Sequence, residues 1–317
     1  MVLRYAALVG TAVLVAVSVG PSHAVAGKTV LLPDLRQAPV GCAGGHTVNP
    51  SQCVDWDVCL VADPSAPSGA CVTGVPVGAV RLRFTSAVEN VGDGPLLVYG
   101  TRSDTGQPRM TSKQAFQSAV DGSIPASYEQ AQHALPATMY YEHASAHQHW
   151  HMLDFAHFQL RTPSGATVVT DRKNGFCLGD RYRTAGRLSN RPADDGSPAA
   201  ELAKVLWANR CGHHAPEALS TVQGISVGYG DDYVHTVDFQ WLDITTVPSG
   251  TYDVVNVVNG GRSLVEKSYV NNASSIAVSV RWPGGAHNPP AQITEPPQVR
   301  LLRSCPGQDR CAGRILY

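Results

Sequence analysis

The chain has 317 residues, 24 Lys and Arg against 25 Asp and Glu, and a formal net charge of −1. That length can bury a sizeable core, in one large domain or two small ones. A near-zero charge without any dense basic stretch makes a nucleic-acid backbone an unexpected partner.

The N-terminus opens with Met1-Val2-Leu3-Arg4, an apolar run from Tyr5 to Gly20, and Ala24-Val25-Ala26. A charged start, a short apolar segment and an Ala-x-Ala site read as a secretory signal over residues 1–26. The competing reading, an uncleaved anchor, requires a longer apolar run. No other segment approaches a membrane span, so no membrane is expected after signal cleavage. Beyond the signal lie eight cysteines, at 42, 53, 59, 71, 177, 211, 305 and 311. An even count in an exported chain points to disulfides. Their clustering suggests bridges within Cys42–Cys71, a Cys177–Cys211 link and a Cys305–Cys311 loop. No Cys-x-x-Cys pair is present to hold zinc by thiolates.

Strand-like alternation begins at Val80–Thr85, stops at the turn Asn90-Val91-Gly92-Asp93-Gly94, and resumes at Pro95–Tyr99. Residues 103–135 are polar, with short helices expected around Lys113–Val120 and Ala126–Ala134. Phe155–Arg161, the turn Pro163-Ser164-Gly165 and Ala166–Thr170 read as a hairpin. Ser197 as N-cap and Pro198 at the first helical position open a helix running to Asn209. Strands are expected again at Val237–Ile244, Tyr252–Val258 and Ser275–Trp282. Many short strands with turn chemistry and little helix predict an all-β sandwich with short helices and long loops. The expected division is a signal over 1–26, a main domain over 27–283, and a Pro/Arg-rich tail over 284–317. That tail is expected to run extended apart from its Cys305–Cys311 loop.

The most informative segment is Ala146-His147-Gln148-His149-Trp150-His151. On an extended strand, alternate side chains share a face, so the three rings project together; a helix would turn His149 away. Imidazole suits Cu, Zn, Fe and Ni rather than Ca or Mg. On a flat strand, the outer two Cα atoms lie roughly 13 Å apart, so all three can share one ion only if the backbone bends. His157 is expected near this site as a core or outer residue, while His213 and His214 read as loop histidines beside Cys211.

Two further stretches carry chemistry. One is Asp171-Arg172-Lys173-Asn174-Gly175-Phe176-Cys177-Leu178-Gly179-Asp180. The other is Gly224–Tyr233, followed by Phe239-Gln240-Trp241-Leu242-Asp243. With His-Gln-His-Trp-His, these resemble the catalytic domain of the lysyl oxidase family, the protein-lysine 6-oxidases, from Leu32-Pro33-Asp34-Leu35 to Ser268-Tyr269-Val270-Asn271-Asn272. The resemblance implies Cu(II) on His147, His149 and His151, and fusion of Lys173 with Tyr233 into lysine tyrosylquinone. Tyr229 and Tyr269 are rivals to Tyr233 by residue type but differ in spacing. A quinone accepts two electrons from an amine, which no ordinary side chain can do. The implied reaction is oxidative deamination of peptidyl-lysine or a small primary amine by O2, giving an aldehyde, H2O2 and ammonia.

Asp231, two residues before Tyr233, is the candidate general base; its alternative role is turn formation. Asp34, Glu266, Asn271 and Asn272 resemble the calcium position of some family members, although Ser268 replaces the usual second carboxylate. Ala146 stands where the animal enzymes carry a cysteine, and neither an arginine-rich propeptide nor scavenger-receptor repeats occur. The expectation is a secreted bacterial homologue without zymogen processing. The alternative function is a secreted copper-binding sandwich without turnover. A third reading is a three-histidine zinc hydrolase, which lacks a His-Glu-x-x-His base.

Overall fold

A computed structural model describes residues 29–46, 49, 53–74, 76–173, 175–184 and 195–314; the expected signal over 1–26 lies outside the described residues. The first strands are β1 (Val30–Leu31), β2 (Leu35–Gln37), β3 (Trp56–Val61), β4 (Ala79–Phe84), β5 (Ser86–Asn90) and β6 (Leu96–Thr101). Next come β7 (Arg109–Gln114), β8 (Gln117–Ser118), β9 (His133–Glu142), β10 (His149–Leu153), β11 (Ala156–Arg161) and β12 (Thr167–Thr170). The chain continues through β13 (Gly175–Phe176), β14 (Tyr182–Arg183), helix α1 (Pro198–Trp207) and β15 (Ser220–Ile225). It closes with β16 (Tyr229–Tyr233), β17 (Trp241–Asp243), β18 (Gly250–Val258), β19 (Ala273–Arg281) and β20 (Gln298–Cys305).

The expected all-β architecture is present, with every strand pair antiparallel. A six-stranded sheet runs β13-β10-β9-β7-β6-β15, and a five-stranded sheet runs β12-β11-β18-β19-β20. A four-stranded sheet (β14-β16-β5-β2) and a three-stranded sheet (β17-β4-β3) complete the body, with a small β1-β8 pair beside them. The two large sheets share one core: Met139, Trp150, Met152 and Phe176 from the first join Phe158, Val254, Ile276 and Val278 from the second. Phe158 also meets Phe84 of β4 edge-on at 5.0 Å, tying the three-stranded sheet into the same core. Alternating burial along β7 and β11 turns one face of each into this core, whereas β19 is buried on both faces.

Several local expectations hold. The β11–β12 hairpin closes at Pro163-Ser164-Gly165. The Ser197 hydroxyl caps α1 by accepting from Ala200 N at 3.2 Å. Disulfides join Cys42–Cys53, Cys59–Cys71, Cys177–Cys211 and Cys305–Cys311. Among the described residues, no helix is long and apolar enough to cross a membrane.

Other expectations are corrected. The two short helices around Lys113–Val120 and Ala126–Ala134 are absent; β7, β8 and the start of β9 occupy parts of those stretches instead. Here pairing overrides local propensity. Ser112 and Gln114 are buried opposite β9, and the Gln132 carboxamide bonds both Phe116 N (2.9 Å) and Phe116 O (3.3 Å), as a neighbouring strand would. The strand expected over Val237–Ile244 shortens to β17, because the backbone turns at Phe239 with φ +60°. The tail is not a loose extension: β20 pairs with β19 from Ser275↔Cys305 to Arg281↔Gln298. Val299 and Leu301 pack against the main core, and the buried Asp253 carboxylate accepts from Cys311 N (3.1 Å) and Ala312 N (2.6 Å).

Candidate active site

The histidine segment is where a turn becomes a strand. His147 N and Gln148 N both donate to Ala144 O, closing the turn that follows β9. Gln148 takes φ +48°, a left-handed conformation uncommon for a side-chain-bearing residue. His149–Met152 then pair with Glu142–Met139. That kink supplies the bend that three-ring convergence requires. His147 Nδ1 lies 3.3 Å from His149 Nε2 and 3.2 Å from His151 Nε2, and the last two atoms are 3.0 Å apart.

Two ligands about 2.0–2.1 Å from one ion, at angles between square and tetrahedral, sit roughly 2.9–3.4 Å apart. The observed triangle of 3.0–3.3 Å therefore fits one first-row transition ion. Burial lowers all three imidazoles, His149 to about 3, and the nearby Lys173 charge pushes in the same direction. The neutral, ligating form is thereby favoured. The outer nitrogens are also engaged. His147 Nε2 lies 3.3 Å from Asp238 O, and His151 Nδ1 lies 3.5 Å from Tyr140 Oη, whose hydroxyl donates to Glu142. Such outer contacts orient ligating rings. Asp238 ties the loop further by accepting from Ala146 N at 3.1 Å.

Lys173 reaches the same place from the far side of the β11–β12 hairpin. Its side chain is 3% exposed, and Nζ has no hydrogen-bond partner among the described residues. Nζ lies 4.7 Å from the Tyr233 ring centroid and 4.8 Å from that of Phe176. Burial lowers its pKa to about 8, against the pull of Asp171 and Asp231. Gly175 permits the approach, because a Cβ there would sit 2.6 Å from His151 Cβ. Tyr233 ends β16 half-buried, its hydroxyl donating to Cys177 O (2.6 Å) with Asp231 Oδ2 3.2 Å from the same oxygen. Burial and Asp231 both raise the phenol well above its ordinary value.

Asp231 is 2% exposed, and burial raises its carboxyl to about 8. Arg181 Nε approaches Asp231 Oδ1 at 3.6 Å, beyond hydrogen-bond reach, and opposes that rise. A cleft of about 360 Å³ is lined by His147, His149, Cys177, Arg181, Arg210 and His213, with Tyr233 in its wall. Arg181, Asp238 and His213 escaped the reading of the sequence. His213, assigned there to a simple loop, lies 6.2 Å from His149 ring to ring. Its one sequence signal was proximity to Cys211, whose disulfide leads back to Cys177. His157 is half-exposed, 4.0 Å from Asp171, and lines a separate depression with Tyr140 and Lys173.

The calcium candidates gather in two hydrogen-bonded pairs. Asn271 Nδ2 donates to Asp34 Oδ1 (2.7 Å), and Asn272 Nδ2 donates to Glu266 Oε1 (2.8 Å). Glu266 also accepts from Asn259 Nδ2 (2.5 Å) and Leu35 N (2.7 Å), while burial raises its pKa to about 7. The carboxamide oxygens of Asn271 and Asn272 are buried without a partner among the described residues. Those two oxygens suit a hard cation, whereas Glu266 is already saturated by N–H donors.

Fold and site together define an all-β protein in which three converging histidines could hold a metal ion, close to a buried lysine and a half-buried tyrosine. Residues 208–283 match the lysyl oxidase family model. The chain is 33% identical over 128 residues to human lysyl oxidase homolog 3, covering 40% of this chain and 14% of that protein. It is 31% identical over 127 residues to lysyl oxidase homolog 2 of Xenopus laevis, and 32% over 127 residues to mouse lysyl oxidase homolog 4, with the same coverage. The alignments thus span about 14% of these relatives' length. The family-model match includes Asp231, Tyr233, Glu266, Asn271 and Asn272; the histidines and Lys173 precede it.

Proposed function

We propose that this chain is a copper- and quinone-dependent amine oxidase of the lysyl oxidase type, acting in an oxidising extracellular compartment on peptidyl-lysine or a small primary amine. Amine, O2 and water would become aldehyde, ammonia and H2O2. What carries the reading is one placement: a buried Lys173 amine, without a hydrogen-bond partner among the described residues, 4.7 Å from the ring centroid of Tyr233, which lines the same cleft as His147 and His149. Four disulfides agree with that compartment. Cu(II) on His147 Nδ1, His149 Nε2 and His151 Nε2, with O2, would supply the oxidation that fuses Lys173 to Tyr233 as lysine tyrosylquinone, the electron acceptor for the amine.

The chain's own residues prepare that chemistry. At pH 7, an amine of pKa about 8 is roughly one-tenth unprotonated, some 300 times the fraction of an ordinary lysine. Lys173 is therefore a competent nucleophile while still in a water-poor site. Cys177 O and Asp231 fix the Tyr233 hydroxyl and with it the ring's orientation. Asp231, its carboxyl raised to about 8, is matched to take a proton from the substrate carbon near neutrality. Arg181 stands 3.6 Å from Asp231 Oδ1 and favours its ionised form. At the second candidate site, Asp34, Asn271 and Asn272 would hold Ca2+, and Glu266 would exchange amide hydrogen bonds for the ion.

The test is amine-dependent peroxide release by copper-loaded, aerated protein. Release that vanishes in Lys173→Arg and in Tyr233→Phe is the expected result. Copper retention without peroxide from the parent protein would leave metal storage as the function. Activity restored by zinc alone after chelation would favour a hydrolase.

A further inference from the structure

His147 and His151 are 2% and 1% exposed, so the triad meets solvent chiefly through half-exposed His149, on the cleft side. The next imidazole outward is His213, 6.2 Å from His149 ring to ring and part of the same cleft wall. The His214 ring lies against His213, tilted by 45° with ring centroids 3.7 Å apart, and both side chains are exposed. Adjacent residues in regular backbone direct their side chains apart. These two do not, because the loop is left-handed at Cys211 (φ +49°), Gly212 (φ +65°) and His214 (φ +59°).

A non-glycine residue in that region is strained and persists only where its surroundings over-determine it. Here the Cys177–Cys211 disulfide holds the loop, Trp150 N donates to Cys211 O (2.9 Å), and His214 N donates to Gln148 O (2.9 Å). Trp150 Nε1 adds a bond to Ala215 O at 3.0 Å. The loop is thus braced directly against the metal-binding segment, and what its strained backbone achieves is an imidazole pair at the cleft mouth. Arg181 and Arg210 line the same cleft, and their charge opposes entry of a dication. Imidazole nitrogen donors offset that barrier, and a two-donor site is weak enough to release its ion.

We propose that His213 and His214 form a second, weaker Cu(II) site, an entry station from which the ion passes to His149 and the buried triad. The proposal rests on the metal reading of the triad. Its test adds Cu(II) alone to the chelator-stripped full chain near neutral pH, following loading by stopped-flow absorbance and the end point by electron paramagnetic resonance. The variant is His213→Gln with His214→Asn, since Asn tolerates the left-handed backbone. His287→Gln serves as a control for loss of an unrelated histidine.

Loading of the triad should slow by about tenfold or more as local capture is lost. The end-point spectrum at one equivalent should stay unchanged, and a second set of lines present at copper excess should disappear. Loading at the parent rate would overturn the proposal. So would a changed one-equivalent spectrum, which would make His213 a permanent ligand. A parent protein that takes up no copper would overturn the triad reading first, an outcome separable from the other two because no variant is then needed to see it.

Discussion

Replacing Lys173 by methionine in metal-free, uncrosslinked protein should make the fold more stable. The methionine side chain has nearly the length of lysine and keeps contact with the Phe176 and Tyr233 rings. It removes an ammonium that is 3% exposed and has no hydrogen-bond partner among the described residues. The fall of the Lys173 pKa from 10.5 to about 8 corresponds to about 3 kcal/mol of penalty while both folded and unfolded states carry the proton. Because the folded pKa lies below the unfolded one, the penalty is complete below pH 8 and is relieved as the pH rises from about 8 towards 10.5. Urea unfolding under chelator, with oxygen excluded, should show Lys173→Met more stable by about 2–3 kcal/mol at pH 7. The gap should shrink at higher pH. A variant less stable than the parent at pH 7, or a gap independent of pH, would refute the claim that this amine is buried and unpaired.

Three other outcomes follow from neighbouring residues. Gly175→Ala places a Cβ 2.6 Å from His151 Cβ and 3.1 Å from Met152 O. The β10–β13 pair must give way, so stability should fall by about 1–3 kcal/mol, with weaker copper binding in a competition titration. Asp231 keeps its proton to about 8, against 3.8 when free, so it costs the metal-free protein stability as the pH rises from about 4 to about 8. Asp231→Asn should remove that slope in pH-dependent unfolding and, in loaded enzyme, abolish the rise of kcat/KM towards pH 8. At a hundredfold excess over its Kd, Ca2+ should stabilise chelator-treated protein by about 3 kcal/mol. Scanning calorimetry should register the shift in the parent but not in Asn271→Ala with Asn272→Ala; an unmoved parent Tm would leave these side chains as turn and cap groups.

What the sequence disclosed was whatever one local period or one local cap encodes. The histidine spacing announced a shared face because strand side chains alternate, and even the need for a bend followed from strand length. The bend's agent did not: nothing in Ala-His-Gln-His marks Gln148 for a left-handed φ, which the turn at Ala144 and the pairing to β9 impose. The same limit hid β20. Proline and arginine dominate the tail's composition, while alternating Val299 and Leu301 find their purpose only against β19. Lys113–Gln114 has acceptable helix propensity, yet a strand forms because β6 and β9 flank it on both sides. Lys173 alone reads as an ordinary polar-loop lysine. Only the family resemblance raised it, and its burial depends on Gly175, Phe176 and Tyr233 closing around it. Arg181 and His213 belong to the cleft through the Cys177–Cys211 bridge, a proximity that linear spacing does not express.

Amine oxidation by this chain depends on the fate of two side chains, Lys173 and Tyr233. Full-length protein matured with Cu(II) in air and then digested should yield one branched peptide carrying residues 173 and 233, with neither parent peptide remaining, when mapped by mass spectrometry. Recovery of both peptides unlinked, from protein shown to hold a full equivalent of copper, would contradict it.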